Sequence, residues 1–143
     1  MTQTLLLKNA RVIATMDDDQ REIDNGYILV RGNRIEALGP MAERPEEADR
    51  TINLEGHVVI PGLINTHHHM FQSLTRALPT AQNGELFDWL SALFPVWRNI
   101  TPAMQRAASR TAMAELMLSG CTTAADHAYL HVNGITLDDS VQA

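Results

Sequence analysis

Apolar positions in the first sixty residues come in short runs with the period-two spacing of strands. Leu5, Leu7 and the run Ala10 to Ala14 predict a first strand, and Tyr27-Ile28-Leu29-Val30 predicts a second after the turn signal Asp24-Asn25-Gly26. Gly32-Asn33 separates that run from Arg34-Ile35-Glu36-Ala37-Leu38, which alternates as a half-buried strand does. Met41 to Arg50 is charged, contains Pro45 and reads as a loop. Thr51-Ile52-Asn53-Leu54 and His57-Val58-Val59-Ile60 flank Glu55-Gly56, which predicts a hairpin. Residues 1–60 therefore read as a small antiparallel β segment.

The period changes after Pro61-Gly62. Leu63-Ile64-Asn65-Thr66 is a short strand-like run ending in three histidines. In GELFDWLSALFPVW (84–97) Leu86, Leu90, Leu93 and Phe94 fall at helical intervals until Pro95 interrupts them. Thr101 caps a second helix, Pro102 suits its first position, Ala, Met and Leu fill 103–118, and Gly120 stops it. Cys121-Thr122-Thr123-Ala124-Ala125-Asp126 has the composition of a buried strand under helices. TLDDSVQA (136–143) opens a further short helix, with Thr136 as its expected cap. Strand, excursion, helix, strand is the order of a βα unit feeding a second parallel strand. The expected division is a β segment over 1–60 and an α/β segment over 61–143.

Composition narrows the class. With 45% hydrophobic and 20% charged residues in 143, the chain has the makeup of a globular domain that buries a core. A net charge of −6 speaks against nucleic acid and anionic membrane as partners, since both reward a basic face. The single cysteine, Cys121, permits no internal disulfide. No apolar run has the length of a membrane span or the form of a signal peptide, so a cytoplasmic protein is expected.

The chemistry concentrates at HHHM. In an extended segment alternate side chains share a side, so His67 and His69 point together and His68 points away. Two neutral imidazoles at a strand's C-terminal end suit a divalent ion, and α/β folds place their sites at such ends. A polar cluster leaving a strand accounts for the same spacing.

PGLINTHHHMFQSLTRA, followed some fifty residues later by GCTTAADH, resembles the amidohydrolase superfamily, and within it the branch of aminohydrolases that act on purine- and triazine-like rings. The resemblance implies the start of a (β/α)8 barrel preceded by a small β-sandwich segment, with the barrel incomplete in this chain. It implies one divalent metal, zinc with iron as an alternative, held by His67 and His69. The further metal ligands and the general acid/base of the family lie on later strands that this sequence does not contain. The resemblance thus implies the N-terminal part of a hydrolase of non-peptide C–N bonds that releases ammonia or an amine from a heterocycle, inactive as this chain alone. A cyclic amide hydrolase of the same superfamily and a non-catalytic metal-binding or interaction module are the alternatives. Expected partners are a small heterocyclic substrate and water, and a homo-oligomer for the full-length protein.

Three residues are expected at the substrate. Gln72 could hydrogen-bond the edge of a planar heterocycle or face water at a helix entry. Trp89 belongs to an aromatic concentration with Phe71, Phe87, Phe94 and Trp97, which either covers a flat ring or serves as core. His127 follows the second strand, with Asp126 before it and His131 beyond. A local His67, His69 and His127 metal site is conceivable, but the resemblance puts this strand end in the pocket wall. No catalytic residue is assigned within the chain. Cys121 reads as a buried small residue, Asp17-Asp18-Asp19 as a solvated turn, and Met104, Met113 and Met117 as core.

Overall fold

The computed structural model describes residues 3–143, which form two compact units divided between Pro61 and Gly62. In the first unit β1 (Thr4–Ala14), β2 (Glu22–Arg31) and β3 (Arg34–Pro40) form an antiparallel meander. Gly32 takes a φ of 60° in the two-residue loop between β2 and β3, as the first position of a type II′ turn requires. The Asp24-Asn25-Gly26 signal is not a turn. It lies inside β2, where Gly26 pairs with Ala10 and Asp24 with Val12. Gly26 is needed there for space, since a Cβ would run into the Ile13 side chain.

The expected hairpin at 51–60 is also absent. β4 (Arg50–Asn53) and β5 (Val58–Val59) do not pair with each other; both run parallel to β1, at Leu5–Lys8 and at Val12–Ile13 respectively. A tight turn, closed by His57 N–H donating to the Leu54 carbonyl at 2.9 Å, moves the chain one step further along β1. The long first strand offers a free edge to both segments, so the sheet is mixed rather than antiparallel. Alternation along β2 sends Tyr27 and Leu29 to one face with Leu6, and Ile28 to the other with Ala10 and Ile13.

In the second unit β6 (Leu63–His68) and β7 (Cys121–Asp126) pair in parallel. Between them run 3-10 turns at Met70–Thr75 and Pro79–Ala81, then α1 (Leu86–Trp97) and α2 (Pro102–Leu118). α1 passes through Pro95 instead of stopping before it. The proline sits in the last turn, where its missing N–H costs one bond of a helix that ends two residues later. The Thr101 hydroxyl caps α2 by accepting from Met104 N–H at 3.3 Å.

Leu93, Trp97, Phe71, Ile100, Ala81, Leu130 and Ile135 make the core of this unit, and Trp97 also donates to the Thr75 hydroxyl at 3.0 Å. The buried stripe of α2 is Gln105, Ala108, Ser109 and Ala112. Met104 and Met117, expected in the core, are exposed. Small residues let α2 lie close to the 70–75 turn, and Gln105 donates to the Ser140 hydroxyl of α3 (Asp138–Val141) at 2.9 Å. α3 lacks the expected Thr136 cap. Its Asp139 carboxylate instead accepts from Thr136 N–H at 2.9 Å.

The two parallel strands are not the buried strands their composition suggested. Cys121 is buried, but Ile64 is 69% exposed and most of both strands is open, because this sheet has only two strands.

Trp97 carries the largest fully buried side chain, so Trp97→Ala should lower the unfolding free energy by about 3–5 kcal/mol, measured by denaturant titration. In the β1–β2 turn the Thr15 hydroxyl and then the Arg21 guanidinium hold the Asp17 carboxyl at about 2, below its ordinary 3.8. A depressed carboxyl adds stability above its unfolded value of about 3.9 and loses it as pH falls through the folded value. Asp17→Asn should therefore flatten the fall in stability between about pH 4 and pH 2 in acid unfolding.

Candidate metal centre

The end of β6 and the end of β7 are tied by three hydrogen bonds. His127 N–H donates to the His68 carbonyl at 2.7 Å, Met70 N–H donates to Asp126 Oδ1 at 2.9 Å, and His69 Nδ1 lies 2.9 Å from the His127 carbonyl. Asn65 Oδ1 steadies the strand from within by accepting His67 N–H at 3.0 Å. Thr122 of β7 packs so closely on Gly62 that a Cβ there would overlap it.

This frame fixes a tautomer. A carbonyl only accepts, so His69 Nδ1 carries the proton and, in the neutral ring, Nε2 is left as a bare lone pair. That lone pair faces His67 Nε2 at 3.1 Å. The His127 ring completes the cluster, its centroid 4.4 Å from that of His67 and 5.4 Å from that of His69. One nitrogen from each of the three rings falls within 4.8 Å of the others. Such a set, all neutral-imidazole donors with one ring oriented by a backbone carbonyl, fits a divalent transition metal.

His68 lies apart from this set. It is half-buried, its Nδ1 has no hydrogen-bond partner among the described residues, and its side chain is near Glu115 of α2. Glu115 is held below its usual range chiefly by hydrogen bonds from Arg76, which grips it at 2.9 and 2.6 Å.

Beside the imidazole pair is an open cavity of about 370 Å³, lined among others by His67, His69, Gln72, Arg76, Trp89 and Leu93. Gln72 and Trp89 line this cavity together with the histidines. His127 does not line this cavity and stands on the ring cluster instead. The aromatic concentration divides. Phe71 and Trp97 are core, Phe87 is 80% exposed, and Trp89 reaches the cavity.

Tyr129 was not anticipated. Its hydroxyl accepts from Gln72 Nε2 at 3.1 Å and its ring packs on His69 with centroids 5.1 Å apart. The signal for it was slight: an aromatic two residues past His127, beyond the predicted strand.

Residues 58–140, more than half the chain, match the Amidohydrolase family. The chain belongs to the amidohydrolase family. It is 45% identical over 118 residues to 8-oxoguanine deaminase of Pseudomonas aeruginosa, covering 82% of this chain and 26% of that one. It is 38% identical over 112 residues to hydroxydechloroatrazine ethylaminohydrolase of Pseudomonas sp. strain ADP, covering 71% and 23%. In structure it resembles the zinc-complexed atrazine chlorohydrolase of Arthrobacter aurescens TC1, with a TM-score of 0.86 and 27% identity over 96% of this chain and 32% of that one. The chain spans about a quarter of the length of the curated relatives it matches. Its α/β architecture is that of part of an amidohydrolase. No helix among the described residues is long and apolar enough to cross a membrane.

The frame predicts its own weak point. Asp126→Ala leaves Met70 N–H without its acceptor and should cost about 1–3 kcal/mol of unfolding free energy in metal-free protein. Asp126→Asn keeps Oδ1 and should cost much less in the same denaturation experiment.

Proposed function

We propose that this chain is the N-terminal part of a zinc-dependent aminohydrolase that removes ammonia or an amine from a purine- or triazine-like ring. In this reading β6 and β7 are the first two strands of a (β/α)8 barrel, and residues 1–60 belong to a separate small β domain. His67 and His69 are the metal ligands. The observation that carries the reading is the pair of Nε2 atoms converging at 3.1 Å, one with its tautomer set by a backbone carbonyl. Support also comes from the names of the relatives, two of which are a deaminase and an aminohydrolase, and from the zinc held by the structural neighbour.

When bound, a divalent cation of this kind acts as a Lewis acid and makes hydroxide available near neutral pH. The residues of this chain do the holding and orienting. His69 keeps its lone pair outward because Nδ1–H is engaged by the His127 carbonyl. Gln72, steadied through its amide nitrogen by Tyr129, has an amide oxygen to offer to a donor on a heterocycle's edge. Trp89 gives the cavity an apolar wall, and about 370 Å³ suits a bicyclic or substituted monocyclic ring. The net reaction consumes water, replaces a ring C–N bond to the leaving amine by C–O, and releases the amine. Ligands beyond His67 and His69, and the group that moves the proton, lie outside these residues. This chain alone is therefore inactive.

A chimera tests this. Replacing the matching quarter of the Pseudomonas aeruginosa 8-oxoguanine deaminase with this chain should preserve ammonia release from 8-oxoguanine. His67→Ala in the chimera should lower kcat/KM by roughly a thousandfold or more, about 4 kcal/mol of barrier. An active chimera indifferent to His67→Ala and His69→Ala would overturn the assignment, as would turnover by the 143-residue chain on its own.

A further inference from the structure

α1 carries a second apolar stripe beside the one that builds the core. Leu93 and Trp97 point into the unit, and Trp89, on the same side, reaches the cavity. Phe87, Leu90, Ser91 and Phe94 recur at the three- and four-residue spacing of another face, where Phe87 is 80% and Phe94 46% exposed. We infer that this face binds the same face of a second copy of the chain, the two α1 helices packing antiparallel about a two-fold axis. The contact stands apart from the proposed chemistry and does not depend on a metal.

The stripe is complementary to itself. In an antiparallel pair centred between Leu90 and Ser91, Phe87 of each copy falls opposite Phe94 of the other, and the small Ser91 lets the helices approach. Ser91 brings no unpaired polar group into such a contact, because its hydroxyl already donates to the Phe87 carbonyl at 2.7 Å. Phe94 is held from behind by Trp97, edge-on at 5.5 Å between centroids, so ordering its ring on contact costs little.

Charge selects the direction. Glu85 and Asp88 mark the start of α1 and Arg98 its end, and none of the three forms a salt bridge among the described residues. At a helical rise of 1.5 Å per residue, the antiparallel register brings Arg98 within about 3 Å, measured along the axis, of Glu85 of the second copy. A parallel register would instead set Arg98 against Arg98. Opposed helix macrodipoles favour the antiparallel direction as well.

The area sets the strength. The exposed parts of the two rings amount to about 250 Å² per copy. A standard stable interface buries about 800 Å² per partner, so the pair is a reversible dimer that forms at micromolar concentration, not an obligate one.

Sedimentation velocity of the 143-residue chain from about 1 to 200 μM tests the contact. The wild-type chain should pass reversibly from monomer to dimer across that range. Phe87→Ser, at a position outside the core, should raise the midpoint concentration by more than about tenfold and leave the thermal transition unchanged. Ile64→Ser, on the open face of the β6–β7 pair, should leave the midpoint where it is. Arg98→Glu should raise it by about threefold or more, and Glu85→Arg added to the same chain should bring it back. A wild-type chain that stays monomeric throughout would overturn the proposal. So would association that survives Phe87→Ser and is lost with Ile64→Ser. A charge swap that weakens the dimer beyond the single reversal would rule out the antiparallel arrangement.

Discussion

Everything chemical in this chain depends on the parallel pairing of two short strands whose carboxyl ends meet. Residues 68–70 and 126–127 exchange hydrogen bonds across a sequence separation of more than fifty residues. Neither strand could orient the imidazoles alone. Alternation puts His67 and His69 on one side, but only the carbonyl of His127 decides which nitrogen of His69 faces outward. A backbone contact from a remote strand thus sets the tautomer of His69.

Bringing those ends together has an entropic cost, and the intervening segment offsets it. Loop closure over this span grows only slowly with length, but it must be met before the strands gain their few hydrogen bonds. The gain comes from the excursion. Phe71 lies two residues past His69, and it packs edge-on to Trp97 of α1 at 5.1 Å between centroids. Leu130, a few residues past β7, joins the same core. The cluster therefore clamps both strand ends from beyond the site, leaving the imidazoles outside the apolar interior and open to solvent. The small stripe of α2 completes the arrangement by letting that helix lie close to the 70–75 turn.

Much of this was legible where local chemistry decides the outcome. The cap at Thr101 and Pro102, the short loop at Gly32-Asn33 and the strand–excursion–helix–strand order follow from residues within a few positions of each other. What was illegible involved distant partners. Glu55-Gly56 carries a hairpin signal, yet the free edge of β1 captures both flanking segments in parallel. Gly26 looks like a turn residue because the sequence cannot show Ile13 lying against it. The methionines of α2 suggested a core face, but close helix approach selected Gln105, Ala108, Ser109 and Ala112. At the site, two histidines separated by one residue announce themselves. Tyr129 and the backbone of His127 act through a register that only pairing creates.

The open faces of β6 and β7 bear on how such a site comes to exist. Ile64 and Leu63 are substantially exposed, so the strand pair gains little from apolar burial on that side. An ion bound by imidazoles at the strand ends favours the paired state over the unpaired one, because the unfolded chain holds no such geometry. Stabilisation by an ion at the proposed site would act where burial is weakest, on the register that aligns His68 with Asp126. With His67 and His69 as the proposed ligands and the His127 carbonyl orienting one of them, metal binding and strand register would favour each other.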